Sequence, residues 1–117
     1  MSTAQELSSK RKALLDDLRA NPTGLAWCER HTDLVDEAVR AAYAGLLTKL
    51  ERVPQFAVVA TGGYGRRELA PWSDVDITFV PLYESDPDLD KAIKSLFRDL
   101  HDLVADGLGI LLGYALR

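Results

Sequence analysis

The sequence predicts an α/β (α+β) fold, a small mixed sheet of about three strands with flanking helices. Short apolar runs at 56–61 and 74–80 are bounded by glycine, proline and serine, as strands are, and a further run at 108–117 holds Gly113 inside it. Between and before them lie longer stretches with apolar residues at three- and four-residue spacing, the period of a helix with one buried face.

Taken in order, residues 3–20 are rich in helix formers, with Leu7, Leu14, Leu15 and Leu18 as the apolar positions and Asn21-Pro22 ending the run. Their many charges predict a weakly amphipathic surface element or N-terminal extension. Over 23–50 the pattern strengthens through Trp27, Leu34, Val35, Ala38, Val39, Ala42, Leu46 and Leu50, so one face of a long helix is expected to be buried. Thr32 is placed to cap a second segment if the helix breaks near 31–33. His31 is expected on the charged face, solvated, and Cys28 as a small helix residue. Residues 51–54 link into the first strand, 56–61, and 66–69 are expected to form a short helical turn. Residues 71–73 then set up the second strand, 74–80, with Trp72 expected to anchor the loop against the core and base stacking as its alternative use. Asp86 is expected to cap a third helix with Pro87 at its first position. Leu89, Ile93, Leu96, Phe97, Leu100, Leu103 and Val104 supply its buried face before Gly107 ends it. The His101-Asp102 dipeptide falls on its exposed side. Domain boundaries follow as an N-terminal helical region, 1–52, and a sheet-bearing core, 53–117.

The chemistry concentrates between 58 and 80, where the chain reads V-V-A-T-G-G-Y-G-R-R-E-L-A-P-W-S-D-V-D-I-T-F-V. Residues two apart on a strand share a face, so Asp74 and Asp76 lie together while Val75, Ile77 and Phe79 take the other side. Neighbouring anions repel and lose hydration when partly buried, and a shared cation relieves both costs. Mg²⁺ suits the pair, because it prefers carboxylate oxygens, keeps several waters and completes its shell with substrate phosphates. Gly62, Gly63 and Gly65 let backbone N–H groups approach an anion, and Arg66 and Arg67 add local charge. Ser73 serves either the loop turn or a phosphate. Glu68 at the third glycine position excludes the dinucleotide fingerprint, and the Walker pattern is not met.

Composition limits the partners. With 117 residues the chain makes one domain or part of one, and its net charge of -4 argues against broad attraction to nucleic acid or to an anionic membrane. One cysteine excludes an internal disulfide framework and a cysteine-based zinc cluster. With no apolar run of spanning length and no secretory start, a cytoplasmic location is expected.

The strand, Gly-Gly and Asp-x-Asp arrangement resembles the signature of the DNA polymerase beta-like nucleotidyltransferases. The fuller string G-G-Y-G-R-R-E-L-A-P-W-S-D-V-D is most similar to the bacterial PII-protein uridylyltransferases, with Arg67 where that family usually has glycine. The resemblance implies a partial polymerase beta-like palm and transfer of UMP from UTP to a tyrosine hydroxyl of the PII nitrogen-regulatory protein. It implies Asp74 and Asp76 as catalytic metal ligands in a two-Mg²⁺ site. Gly62, Gly63, Gly65, Arg66 and Ser73 are implied around the triphosphate. That superfamily uses a third carboxylate from a later strand, and no Asp or Glu lies between Gly107 and Arg117. The chain is therefore expected to be the first part of a larger enzyme. The alternatives are another protein nucleotidyltransferase, of the adenylyltransferase or toxin-antitoxin type, and a nucleotide-binding module without turnover.

Overall fold

A computed structural model describes residues 3–116, so Arg117, the expected end of the last strand, lies outside the described residues. Helix α1 (Thr3–Ala20) and helix α2 (Leu25–Lys49) precede strand β1 (Phe56–Thr61), which runs directly into a helical turn, α3 (Gly62–Gly65). Strand β2 (Val75–Pro81) follows, then helix α4 (Leu89–Leu100), its π-helical continuation (His101–Gly107) and strand β3 (Leu112–Leu116). The sheet order is β1-β2-β3, antiparallel between the first pair and parallel between the second. This is the expected mixed α+β sheet, and α4 provides the crossover that a parallel pair requires.

Alternation along β2 divides the sheet into a core face and an open face. Val75, Ile77 and Phe79 are essentially inaccessible, whereas Asp76 and Val80 are exposed. The core face packs with Trp27, Val35, Ala38 and Leu46 of α2 and with Leu96 and Leu100 of α4. In α4 the buried residues Leu89, Ala92, Ile93, Leu96 and Leu100 recur at helical spacing, opposite the exposed Lys91, Lys94 and Arg98. The π-helical segment brings Gly107 close to α1, where a Cβ would lie 3.5 Å from Ala4 Cβ.

Several sequence expectations are corrected. Helix α1 is no surface appendage: Leu7 and Leu14 are buried, and Leu14 O accepts a 2.7 Å hydrogen bond from Trp27 Nε1. Helix α2 runs unbroken through 31–33, because Thr32 Oγ1 donates back to Cys28 O at 2.8 Å, bonding one turn behind it instead of capping a new helix. Helix α4 begins at Leu89 with Asp88, not Asp86, at its N-cap. Asp86 instead accepts the Asp88 N–H at 2.9 Å and pairs with Arg52, which also bonds Asp88. Finally, β3 starts at Leu112 and not at 108: Gly109 turns the chain at φ +72°, and Leu108 and Ile110 are buried as part of the approach to the sheet.

His31 departs furthest from expectation. It is fully buried, with Nδ1 3.0 Å from Leu69 O and Nε2 3.4 Å from Arg11 Nε. The carbonyl accepts from Nδ1–H and the imidazole accepts from the guanidinium, so the neutral Nδ1–H tautomer fits both neighbours. Burial lowers its pKa below the ordinary 6.5, with the Arg11 charge acting the same way and the Leu69 hydrogen bond opposing them. Below that ordinary value the unfolded chain takes up a proton that the folded chain resists, so this contribution is present above pH 6.5 and is lost as pH falls toward the depressed folded value. Unfolding titrations at pH 7 and pH 5 are expected to show a steeper stability loss for the wild type than for His31→Asn, by at most about 1.4 kcal/mol per pH unit. Equal slopes would assign no titration to His31.

Candidate active site

The glycine turn and the acidic strand meet at the end of the sheet. Thr61, the last residue of β1, pairs across with Asp76 of β2, which pairs in turn with Gly113 of β3. Directly paired residues share a sheet face, so Asp76 stands on the open face between a turn and a glycine. A Cβ at Gly62 would lie 3.3 Å from Asp76 Oδ2, and one at Gly113 would lie 2.7 Å from Asp76 Oδ1. The carboxylate thus rests over bare backbone on both sides.

Asp74 immediately precedes β2. The sequence Asp74, Val75, Asp76 is exposed, buried, exposed, the pattern that strand alternation gives to two carboxylates sharing the open face. Neither carboxylate has a hydrogen-bond or ion-pair partner among the described residues, although Asp17, Asp33, Asp36, Asp86, Asp88, Asp90 and Asp99 all do. Two unneutralised carboxylates with free oxygens suit a hard cation that keeps water in its remaining positions.

The helical turn lies at 62–65, not at the expected 66–69. Gly62 adopts φ +59°, which lets the chain leave β1 and coil at once. Gly65 serves packing instead: a Cβ there would lie 2.7 Å from Ala60 O. Tyr64 is buried beneath the turn and its hydroxyl donates to Asp36 Oδ1 at 2.6 Å, and burial followed by that hydrogen bond raises its pKa far above the ordinary phenol value. At the C-terminal end of the turn Arg66 is exposed, with Nε 3.6 Å from Glu68 Oε2. Ser73 is half-buried, and its N–H donates to Ala70 O at 3.2 Å in the turn before Asp74.

Arg67 turns away from the glycines toward α2, where it pairs with Asp33 and Asp36, so its charge is neutralised there and not at the turn. Its φ of 59° is the left-handed conformation that disfavours side chains, at the position where the resembling family usually has glycine. Arg67→Gly is expected to keep the melting temperature within a few degrees, as relief of strain offsets the lost ion pairs. Arg67→Val, which combines a β-branched side chain with the same backbone, is expected to lower it by several degrees.

Trp72 is 79% exposed and does not anchor the loop. Its ring lies over the Arg11 guanidinium, 5.6 Å from carbon to centroid. The anchors are Leu69, which is fully buried, and the Arg11 and His31 contacts, which sequence reasoning missed. A buried position for Arg11 was legible only in its spacing, midway between Leu7 and Leu14 on one helix face. His101, Asp102 and Asp106 form a separate exposed group in the π-helical segment, with ligand atoms within 4.8 Å of one another. Exposed acidic groups of that kind are common without an ion.

Comparison with known proteins identifies homologues that are transferase enzymes. They are bifunctional uridylyltransferase/uridylyl-removing enzymes: that of Novosphingobium aromaticivorans is 33% identical over 95% of this chain, and that of Bradyrhizobium sp. (strain ORS 278) 34% identical over 96%. The Azospirillum brasilense enzyme of the same name is 42% identical over 62 residues, 53% of the chain and 6% of that enzyme. Similarity along nearly the whole chain supports that family for it. The chain spans 12% of the length of the Novosphingobium and Bradyrhizobium relatives. No family model and no solved structure matches it.

Proposed function

We propose that this chain supplies the metal and triphosphate site of a uridylyltransferase that moves UMP from UTP to a tyrosine hydroxyl of a PII-type regulatory protein. The observation that carries the reading is the pair Asp74 and Asp76, both without a partner among the described residues and with Asp76 set against the glycine turn, in a chain homologous to enzymes named for uridylyl transfer. Their oxygens fit Mg²⁺, which when bound supplies charge stabilisation for the attacking oxygen and the departing pyrophosphate. Asp74 and Asp76 would hold the ion. Gly62 and Gly63 open a helical turn whose first N–H groups have no intrahelical acceptor and can donate to phosphate oxygens. Gly65 keeps the turn seated on β1, the exposed Arg66 adds positive charge, and Ser73 offers a hydroxyl beside Asp74. The tyrosine oxygen bonds to the α-phosphorus, the bond to the bridging α,β-oxygen breaks, pyrophosphate leaves and the phenolic proton passes to solvent. A cytoplasmic setting accords with UTP as donor.

A second reading has its own observation. Strand β3, which lies next to Asp76, carries Gly113 opposite it and no acidic residue. By itself the chain would then bind a nucleotide without turning it over, and transfer would need a carboxylate from elsewhere. Label transfer from α-labelled UTP to PII protein, with Mg²⁺, tests both. A longer protein containing this chain is expected to transfer label, and Asp74→Asn or Asp76→Asn to reduce transfer at least about a hundredfold. Transfer that survives both substitutions would remove the mechanism, and transfer by the 117-residue chain alone would remove the second reading.

A further inference from the structure

Arg11 is 8% exposed and has no carboxylate partner among the described residues, a costly arrangement for a guanidinium. Its contacts all lead one way. Nη2 donates to Pro71 O at 2.7 Å, Nε donates to His31 Nε2 at 3.4 Å, and Trp72 covers its outer side. His31 in turn donates to Leu69 O at 3.0 Å. Two residues from two different helices therefore grip two carbonyls of one loop, the loop that ends at Asp74.

Beyond those bonds and the burial of Leu69 at its start, the segment has few ties. Ser73 N–H reaches back to Ala70 O at 3.2 Å, and Val75 N–H reaches Leu111 O at 2.8 Å. Asp74 lies between them with no side-chain partner among the described residues. Whatever sets the path of 69–73 sets where its carboxylate stands relative to Asp76, which the β1 and β3 ladders already hold.

We propose that Arg11 and His31 are positioning residues for the acidic pair, gripping loop 69–74 so that the Asp74 carboxylate is held beside Asp76, and that α1 and α2 are thereby a working part of the site. The proposal rests on the reading that Asp74 and Asp76 bind a divalent cation. A merely structural role for Arg11 would lower stability evenly, whereas a positioning role loosens this loop selectively and weakens the ion.

The test uses the whole chain, with Mn²⁺ alone as the probe and NMR as the readout. In Arg11→Met, which keeps the stem and removes every donor, hydrogen exchange at the Ser73 amide is expected to quicken at least about tenfold relative to the Ala92 amide of α4. Mn²⁺ affinity, read from line broadening around residues 74–76, is expected to weaken about tenfold or more. His31→Leu should behave alike, while His31→Asn, which retains a donor for Leu69 O, should recover most of both. Leu14→Ala, which loosens α1 through its core contact alone, should quicken exchange evenly.

Loop-selective exchange together with weakened Mn²⁺ binding in Arg11→Met supports the proposal. Exchange that changes evenly, or Mn²⁺ binding that is unchanged while wild type binds, overturns the proposal and leaves the metal reading standing. Wild-type protein that shows no Mn²⁺ effect at 74–76 overturns the metal reading and the proposal with it.

Discussion

Gly65→Ala is expected to destabilise the domain by about 1–3 kcal/mol, a fall of roughly 5–15 °C in melting temperature. The position has no positive φ that demands glycine; the reason is contact. An added Cβ would lie 2.7 Å from Ala60 O and 3.1 Å from Ala60 C. Both are backbone atoms of a strand paired to β2, so no rotamer change relieves the overlap, and the whole turn must lift from β1. Lifting it would also draw Tyr64 out of the core and away from Asp36. Gly45→Ala provides the contrast, because that Cβ would meet only Asp99 Oδ2 at an ordinary 3.6 Å in mid-helix. It is expected to stabilise by up to about 1 kcal/mol through helix propensity. Thermal unfolding of the two variants checks both signs. A Gly65→Ala protein as stable as wild type would mean that the turn is not seated where these distances put it.

Gly113→Ala is expected to act on the site and spare the fold. Its Cβ would lie 2.7 Å from Asp76 Oδ1, but here the crowded atom belongs to an exposed side chain that can swing away. Alanine costs an exposed strand little, so the melting temperature should move by only a few degrees. The displaced carboxylate, however, can no longer take the same place between Gly62 and Gly113, and the divalent-ion affinity proposed for the acidic pair should fall about tenfold or more. Mn²⁺ titration of the variant at constant pH reads the effect directly. Undiminished affinity, with the fold intact, would show that the resting position of Asp76 is not the one that binds. The two substitutions are chemically identical and separate the roles of their glycines: one makes room for backbone, the other for a carboxylate.

The helices and strands were largely legible because each rests on local periodicity. The three- and four-residue spacing of Ala38, Ala42 and Leu46, and of Leu89, Ile93, Leu96 and Leu100, foretold the buried helix faces, and the alternation of Asp76 with Val75 and Ile77 foretold the open face of the sheet. One boundary moved because a long-range partner competed with a local signal. Asp86 reads as a cap, yet Arg52, 34 residues earlier, binds it. Thr32 also reads as a cap, but there the competitor is local: its hydroxyl turns back four residues to Cys28 O within an unbroken helix.

What the sequence determined by itself was the exposure of Asp76 on the open side of a strand with the exposed Asp74 two residues before it, the glycine cluster between the strands, and the helical periods, since all of these follow from backbone geometry over a few residues. Only the tertiary structure decided that Arg11 and His31 meet the acidic loop, 60 and 38 residues distant along the chain from the carbonyls they bind. It also decided that Gly113 makes room for Asp76 and that Trp72 faces solvent. The physical reason is that burial and hydrogen-bond satisfaction are properties of the packed whole: a histidine or an arginine on a helix can be solvated or enclosed, and which occurs depends on carbonyls that another part of the chain brings to it.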